Sequence, residues 1–461
     1  MKSYSEYKEM NLPWLKTIPA HWEIRRNKNI FTEIKEKVGE RSSEYTLLSL
    51  TLNGIIPRDL DAGGKFPSDF GKYKVIKKGD MVFCLFDVDE TPRTVGLSNF
   101  DGMLTGAYTI MDVNNINSRY ILYYYLALDN GKLLKPLYTG LRKTINVNTF
   151  QSTQIPAPPR AEQDQIVRFL DWKVSAVNRL ISVKKKQVIV YRELRKAIID
   201  QGMLYGFKNT DRKDSGIYWL GEVPATWDVL PLKRICRANA SISDIVKTKN
   251  DSDLVTFLPM ENVSETGNVD CSIKKKIADV RTGFSSFSKG DVVVAKITPC
   301  FENGKGACLD DLDTDIGFGT TEFINLRPSE KVLSKYLYMI TMTRPFRKLG
   351  EEVMTGSAGQ KRVSVNYIKN FTLGIPGIEE QESILAKIEQ RLVQIDKIIE
   401  IERENIKHLL ELKARIISDA VTGKIDVRNI TVPEYEYVDN AADDDSERES
   451  EVNEGLNEEE E

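Results

Sequence analysis

Residues 155–166 read IPAPPRAEQDQI, and residues 373–384 read LGIPGIEEQESI. Each stretch sets proline ahead of a Glu-Gln pair and an apolar-periodic run. The residue before a proline disfavours the α region, so Pro158 and Pro376 close whatever precedes them. Acidic residues in the next turn favour helix initiation by complementing the macrodipole. From Asn148 to Ile199, each position pairs with the one 218 further on without a gap. The punctuation is therefore one copy of a longer repeat.

The run after the first motif places apolar or long side chains at Ile166, Leu170, Val174, Val177, Ile181, Lys184, Val188, Tyr191, Arg195 and Ile198. The second run does so at Ile384, Ile388, Leu392, Ile395, Ile399, Glu402, Ile406, Leu409, Lys413 and Ile416. After the first step, steps of four and three alternate, which is the spacing of a coiled-coil seam. Gly206 and Gly423 stand where such helices should stop. Two helices of roughly 38 residues, each about 57 Å long, are expected to pack antiparallel. Lys184 and Glu402 interrupt the two seams at equivalent heights. They either set register or lay their stems along the seam's edge.

The repeat extends upstream of both helices. WLKTIPAHWEI (14–24) matches WLGEVPATWDV (219–229), pairing Trp14 with Trp219 and Trp22 with Trp227. KKGDMVF (77–83) matches SKGDVVV (288–294), each reading as a strand behind a Lys-Gly-Asp turn. SRYILYYYL (118–126) echoes SKYLYMITM (334–342) as a short helix, with Tyr123, Tyr124 and Tyr125 as helix core rather than base-stacking groups. RKTINVN (142–148) echoes QKRVSVN (360–366). Strands are expected at 45–51, 81–86, 255–259 and 291–297. The fold class is α+β: two tandem α+β domains separated by two long helices that form an antiparallel coiled coil with pseudo-twofold symmetry. The first domain spans 1–158 and its helical region 159–206. The second spans 207–377 and its helical region 378–426. An acidic tail, 427–461, has too little apolar content to offset its ordering entropy and is expected to be disordered.

Of the 461 residues, 41% are apolar and 29% charged, an ordinary globular composition. Residues 434–461 carry a net −13, so the total of −3 leaves +10 on residues 1–433. That excess fits either lysine-rich solvated faces or a nucleic-acid-binding body. No apolar run is long enough for a membrane span, and the N-terminus has no apolar signal core, so a cytoplasmic protein is expected. The five cysteines form no C-x-x-C pair, which suits reduced thiols. With only His21 and His408, at non-equivalent places, a His-dependent triad or multi-His metal site is not expected. No glycine-lysine pair is followed by Ser or Thr, which argues against a P-loop. GFGTTEF (317–323) lacks a following helix signal, and no N-P-P-Y or D-P-P-Y tetrapeptide occurs. No catalytic and no metal residue is assigned.

The paired proline-Glu-Gln-helix motif, the repeated W-x7-W with proline three residues before its second Trp, and the Lys-Gly-Asp strand together resemble the specificity subunit (HsdS) of type I restriction–modification systems. The likeness covers nearly the whole chain except the acidic tail. GIPGIEEQ departs from it by lacking the double proline of the first copy. The resemblance implies two target recognition domains on double-stranded DNA and no catalytic site of the chain's own. It implies two modification (methyltransferase) subunits and two ATP-dependent restriction subunits as partners, serving phage defence. S-adenosylmethionine, ATP and Mg would belong to those partners, with no cofactor in this chain. Candidate DNA-facing residues are Arg142, Lys143 and Asn146 in one copy and Gln360, Lys361 and Arg362 in the other. A second pair of loops offers Arg93, and Lys296, Thr298, Asn303 and Lys305. Each is also what a solvated turn would carry, and Asn303-Gly304 has the chemistry of a simple turn. A protein-only coiled-coil adaptor and a free-standing DNA methyltransferase or nuclease stand as alternatives.

Overall fold

A Lys-Gly-Asp turn can feed a strand because glycine takes the left-handed backbone and the aspartate ties the turn. Gly79 and Gly290 have φ of 100° and 85°. Asp80 accepts from the Lys77 amide at 2.7 Å and Asp291 from the Ser288 amide at 2.8 Å. The strands that follow lie inside equivalent four-stranded antiparallel sheets. In the first copy Met81–Phe83 pairs with Val95–Leu97 and with Thr109–Val113, which also pairs with Phe31–Ile34. In the second, Val292–Ala295 pairs with Gly306–Cys308 and with Phe323–Pro328, which also pairs with Cys236–Ala238. These relations come from a computed structural model that describes residues 2–58, 70–138, 143–357 and 359–438.

The chain divides into two compact units, Met1–Lys186 with Glu402–Glu461, and Gln187–Ile401. Each unit closes its domain with the same strand pair: Gln154–Ala157 on Glu23–Arg26, and Thr372–Ile375 on Asp228–Pro231. Each unit also has a second sheet region. In the second unit it has four strands, with Leu254–Leu258 parallel to Ile316–Gly319. In the first it is broken into the two-stranded pieces Leu48–Thr51 with Gly54–Pro57 and Lys74–Ile76 with Gly102–Leu104. A parallel bridge, Leu47 to Met103, joins these pieces. Both units are thus mixed α/β with largely antiparallel sheets.

The quoted motifs are parts of one joint. The short helix Ser118–Asn130 is preceded by Asn117, whose amide donates to Gln163 Oε1 at 2.8 Å. Gln163 Nε2 donates to the Pro158 carbonyl at 2.8 Å. Gln381 repeats both bonds, to the Leu333 amide at 2.9 Å and the Pro376 carbonyl at 2.9 Å. Glu162 accepts from Trp22 Nε1 at 2.9 Å and Tyr4 Oη at 2.6 Å; Glu380 accepts from Trp227 Nε1 at 3.3 Å. Both glutamines and both tryptophans are buried, so these bonds satisfy groups that water does not reach. The Glu-Gln pair pins the start of a long helix to its domain.

The long helices are Arg160–Asp200 and Ile378–Val421. The division between units falls within both, so each unit holds the first part of one and the last part of the other. In the first unit Lys413 Nζ donates to Asn178 Oδ1 at 2.9 Å, and Lys184 lies 2.9 Å from Glu402. In the second, Arg195 lies 3.2 Å from Asp396. The 218-residue repeat maps Asn178 onto Asp396 and Arg195 onto Lys413, so it turns one pair into the other. Lys184 and Glu402, which map onto each other, are bonded together. The first helix passes through a π-helical turn, Gln201–Tyr205, before Gly206. Gly206 and Gly423, at φ 69° and 73°, then stop the helices. A Cβ on Gly206 would lie 3.1 Å from Trp227, and one on Gly423 would collide with Pro19.

One expectation is corrected. The segment 427–438, read as the start of a disordered tail, packs along the first unit. Val427 is fully buried, and Ile430 and Val432 join its core. Val438 exchanges hydrogen bonds with Ser175 and Asn178 at 3.2 and 3.0 Å. A few apolar side chains and a backbone satisfied by helix side chains suffice to order it. The rest of the tail, 439–461, lies outside the described residues. Among the described residues no helix is long and apolar enough to cross a membrane.

Candidate nucleic-acid interface

In both units the central strand runs on into a loop, and the segment before the closing helix lies beside it. The Ile145 amide donates to the Leu85 carbonyl at 2.7 Å, and the Val363 amide to the Lys296 carbonyl at 2.9 Å. The repeat maps Ile145 onto Val363, so the two bonds are the same bond. The candidate loops, far apart in sequence, are thus brought together in each unit. In the second unit the Thr298 amide also donates to the Lys361 carbonyl at 2.9 Å, and Arg362 bridges to Ile297 and Thr355.

The second unit gathers seven of the candidates. Gln360, Lys361 and Asn303 are exposed, and Lys296 is half-buried. Among the described residues, Lys296 and Lys361 form no ion pair. Arg362 is held by Glu322, with Nη2 2.9 Å and Nε 3.0 Å from its carboxylate. That bond raises the guanidinium's pKa and holds the carboxyl below its ordinary range. Thr298 Oγ1 donates to Glu302 at 3.1 Å, and Lys305 Nζ to the Met260 carbonyl at 3.3 Å. Gly304, at φ 86°, makes Asn303-Gly304 a tight turn.

The first unit carries its cations differently. Arg93 donates to Asp129 at 3.0 Å and to Asn130 at 3.2 Å, with only 16% of its side chain exposed. Its charge is neutralised inside the domain, and it ties the loop to the short helix. Lys143 contacts Glu90 and lies 3.4 Å from Asp89; the bond to Glu90 raises its pKa. Asn146 caps the helix Val147–Ser152, accepting from the Asn148 amide at 2.8 Å. Arg142 lies outside the described residues. Glu322, Asp129, Lys132 and Arg347, which shape both loops, carry no motif that would single them out in the sequence.

No described group of three or more His, Cys, Asp or Glu is placed to hold a metal ion. All five cysteines are free. Burial pushes the Cys84 thiol up to about 11 and the Cys236 thiol up to about 12, which keeps both in the unreactive protonated form. Tyr123, Tyr124 and Tyr125 are buried in the core, the last two almost completely.

A family model described as the type I restriction modification DNA specificity domain matches residues 86–190 and 224–412. The chain belongs to this family. The two stretches matched to the specificity domain contain both candidate loops. The chain is 38% identical over 180 residues to the specificity subunit of type I restriction enzyme EcoAI from Escherichia coli, a stretch covering 38% of this chain and 30% of that one. It is 33% identical over 180 residues to the EcoEI specificity subunit of the same organism, with the same coverage. The matched stretch thus spans 30% of the length of these two relatives. The MjaVIII specificity subunit of Methanocaldococcus jannaschii is 23% identical over 454 residues, covering 92% of this chain and 98% of that one. A solved structure, from work on complex assembly and conformational transition of the type I R-M system, shares the fold with a TM-score of 0.59 at 15% identity. It covers 88% of this chain and 99% of that one.

Proposed function

We propose that this chain is the DNA sequence-specificity subunit of a type I restriction–modification complex, each unit reading one half of a bipartite target in double-stranded DNA. The observation that carries the reading is the repeated loop pairing. The backbone bond between loop and closing segment is the same in both units, while the side chains around it differ: Leu85, Lys143 and Thr144 in one, Lys296, Lys361 and Arg362 in the other. One scaffold with two side-chain sets is what two readers of different half-sites need. In the second unit Lys296 and Lys361 position the loop on phosphates, and polar side chains such as Gln360 and Asn303 address base edges.

The long helices form an antiparallel coiled coil that spaces the readers. Its outward faces dock partners. The first unit exposes Leu180, Val183 and Leu412, and the second exposes their repeat equivalents Ile398, Ile401 and Leu194. Two equivalent apolar sets suit two copies of one partner, the modification subunit. The chain itself performs no catalytic step. S-adenosylmethionine belongs to the modification subunits; ATP and Mg belong to two restriction subunits. The test is to exchange residues 1–158 for the matching half of a relative and map the methylated motif. One half-site should change and the other stay. A simultaneous change in both would defeat the two-reader reading.

A further inference from the structure

Behind each candidate loop sits a cation from the chain just past the short helix. In the second unit it is Arg347, which is buried although no carboxylate among the described residues pairs with it. Its Nη1 donates to the Phe301 carbonyl at 2.9 Å and its Nη2 reaches the Gly304 carbonyl at 3.4 Å. The guanidinium lies 4.8 Å from the centre of the buried Phe301 ring, and its Nε has no partner among the described residues. Burial lowers its pKa to about 10. A guanidinium in such a place costs stability that an apolar side chain of similar length would not. What it does that an apolar side chain cannot is hold two carbonyls on either side of Asn303.

The first unit reaches the same result with different residues. Lys132 Nζ donates to the Thr91 carbonyl at 2.6 Å and to Asp129 at 2.8 Å. Thr91 lies on the loop after the central strand, as Phe301 does in the other copy. The repeat does not align Lys132 with Arg347, because the chain past the short helix differs in the two halves: it is the helix Arg344–Glu352 in one and the 3-10 turn Lys135–Leu137 in the other. Two unaligned cations thus meet one requirement, a donor beneath the recognition loop.

We propose that Arg347 and Lys132 are positioning residues, each fixing the backbone of one recognition loop and so the discrimination at one half-site. The inference rests on the proposed specificity-subunit function. Arg347 is buried and Lys132 spends its ammonium on Thr91 and Asp129, so in this proposal each acts through the loop it holds rather than on DNA.

The test uses the full chain assembled with its modification subunits, and reads the methylated motif by single-molecule sequencing. The half exchange of residues 1–158 assigns each half-site to its unit. Arg347→Met should raise methylation of targets mismatched in the second unit's half-site at least fivefold and leave the other half-site unchanged. Lys132→Met should do the reverse. Arg347→Lys, which keeps one donor, should restore part of the discrimination that Arg347→Met loses. The salt dependence of DNA binding should not move in any variant, since no phosphate contact is removed. Relaxation of both half-sites together, or of neither, would overturn the proposal. Failure of Arg347→Met to assemble would overturn it too, unless Lys132→Met and Arg347→Lys still relax one half-site each. A wild-type complex without a two-part motif would instead defeat the specificity-subunit reading itself.

Discussion

Glu322 decides how much of the charge around residues 360–362 is available to a polyanion. Its carboxylate holds Arg362 through two nitrogens on one edge of the guanidinium, whereas Lys361 one residue earlier forms no ion pair among the described residues. Lys361→Ala should therefore weaken DNA binding and lower the slope of log affinity against log salt by about one. Glu322→Gln should do the opposite, because it releases Arg362 and removes a nearby negative charge. Anisotropy titrations of the assembled complex over a salt series would read both, and a tighter complex after Lys361→Ala would remove this residue from the interface. The contrast also marks what was legible at this scale. Arg93, Lys143 and Arg362 look alike in the sequence, each a cation in a polar turn. Their partners lie 36, 53 and 40 residues away, and no local pattern announces a bond of that reach. The loops could be placed from the repeat; the state of their charges could not.

The long helices were readable because an apolar seam is a periodic signal. The Glu-Gln motif showed where they begin, but not why those two residue types are required. The structure supplies the reason: Gln163 and Gln381 each satisfy a backbone amide and a proline carbonyl at the joint. Gln163→Ala should cost about 1–3 kcal/mol in urea unfolding, the usual penalty for orphaned buried groups; an unchanged midpoint would mean that water replaces the side chain. The segment 427–438 had no such signal, since an extended strap has no helical period and its bonds come from Ser175 and Asn178. The two readings of Lys184 and Glu402 are narrowed by their contact at 2.9 Å, with 29% and 12% of the side chains exposed. Removing one partner should cost about 1 kcal/mol, below the value for a fully buried pair, while Lys184→Leu with Glu402→Leu should be neutral or stabilising. The hydrogen bond from Lys184 holds the Glu402 carboxyl below its ordinary pKa. Its contribution is therefore complete above the unfolded-state pKa of about 4.3 and is lost as pH falls through the lower folded value. Wild type and Glu402→Gln should converge in stability in acid, and a gap that persists below pH 3 would assign the effect to packing.

At the scale of the molecule, two duplicated domains and two duplicated helices follow from the sequence repeat, and a body of net +10 before its acidic end from the charge count. What the repeat does not convey is that each unit takes one part of both helices, so that each domain is fastened at a helix start and a helix end. Trp22 lies against the stop of the second helix as well as the start of the first, and Trp227 against the converse pair. If the helices space two readers, their length sets the unread gap between half-sites. Sites on one face of B-DNA lie about 34 Å apart, so the gap follows from protein geometry. Adding about one heptad to both helices, at matching heights near Lys184 and Glu402, keeps the apolar seam in phase. The added rise is roughly 10 Å at ~1.5 Å per residue. At ~3.4 Å per base pair, this accommodates up to about three further base pairs, fewer where the turning of the duplex takes a reader off its face. The motif methylated by the double-insertion complex should keep both half-sites and widen the gap between them. A heptad added to one helix alone should mismatch the seams and cost assembly. A stable, active double-insertion complex whose gap is unchanged would refute the spacer role, leaving the helices as a docking surface only.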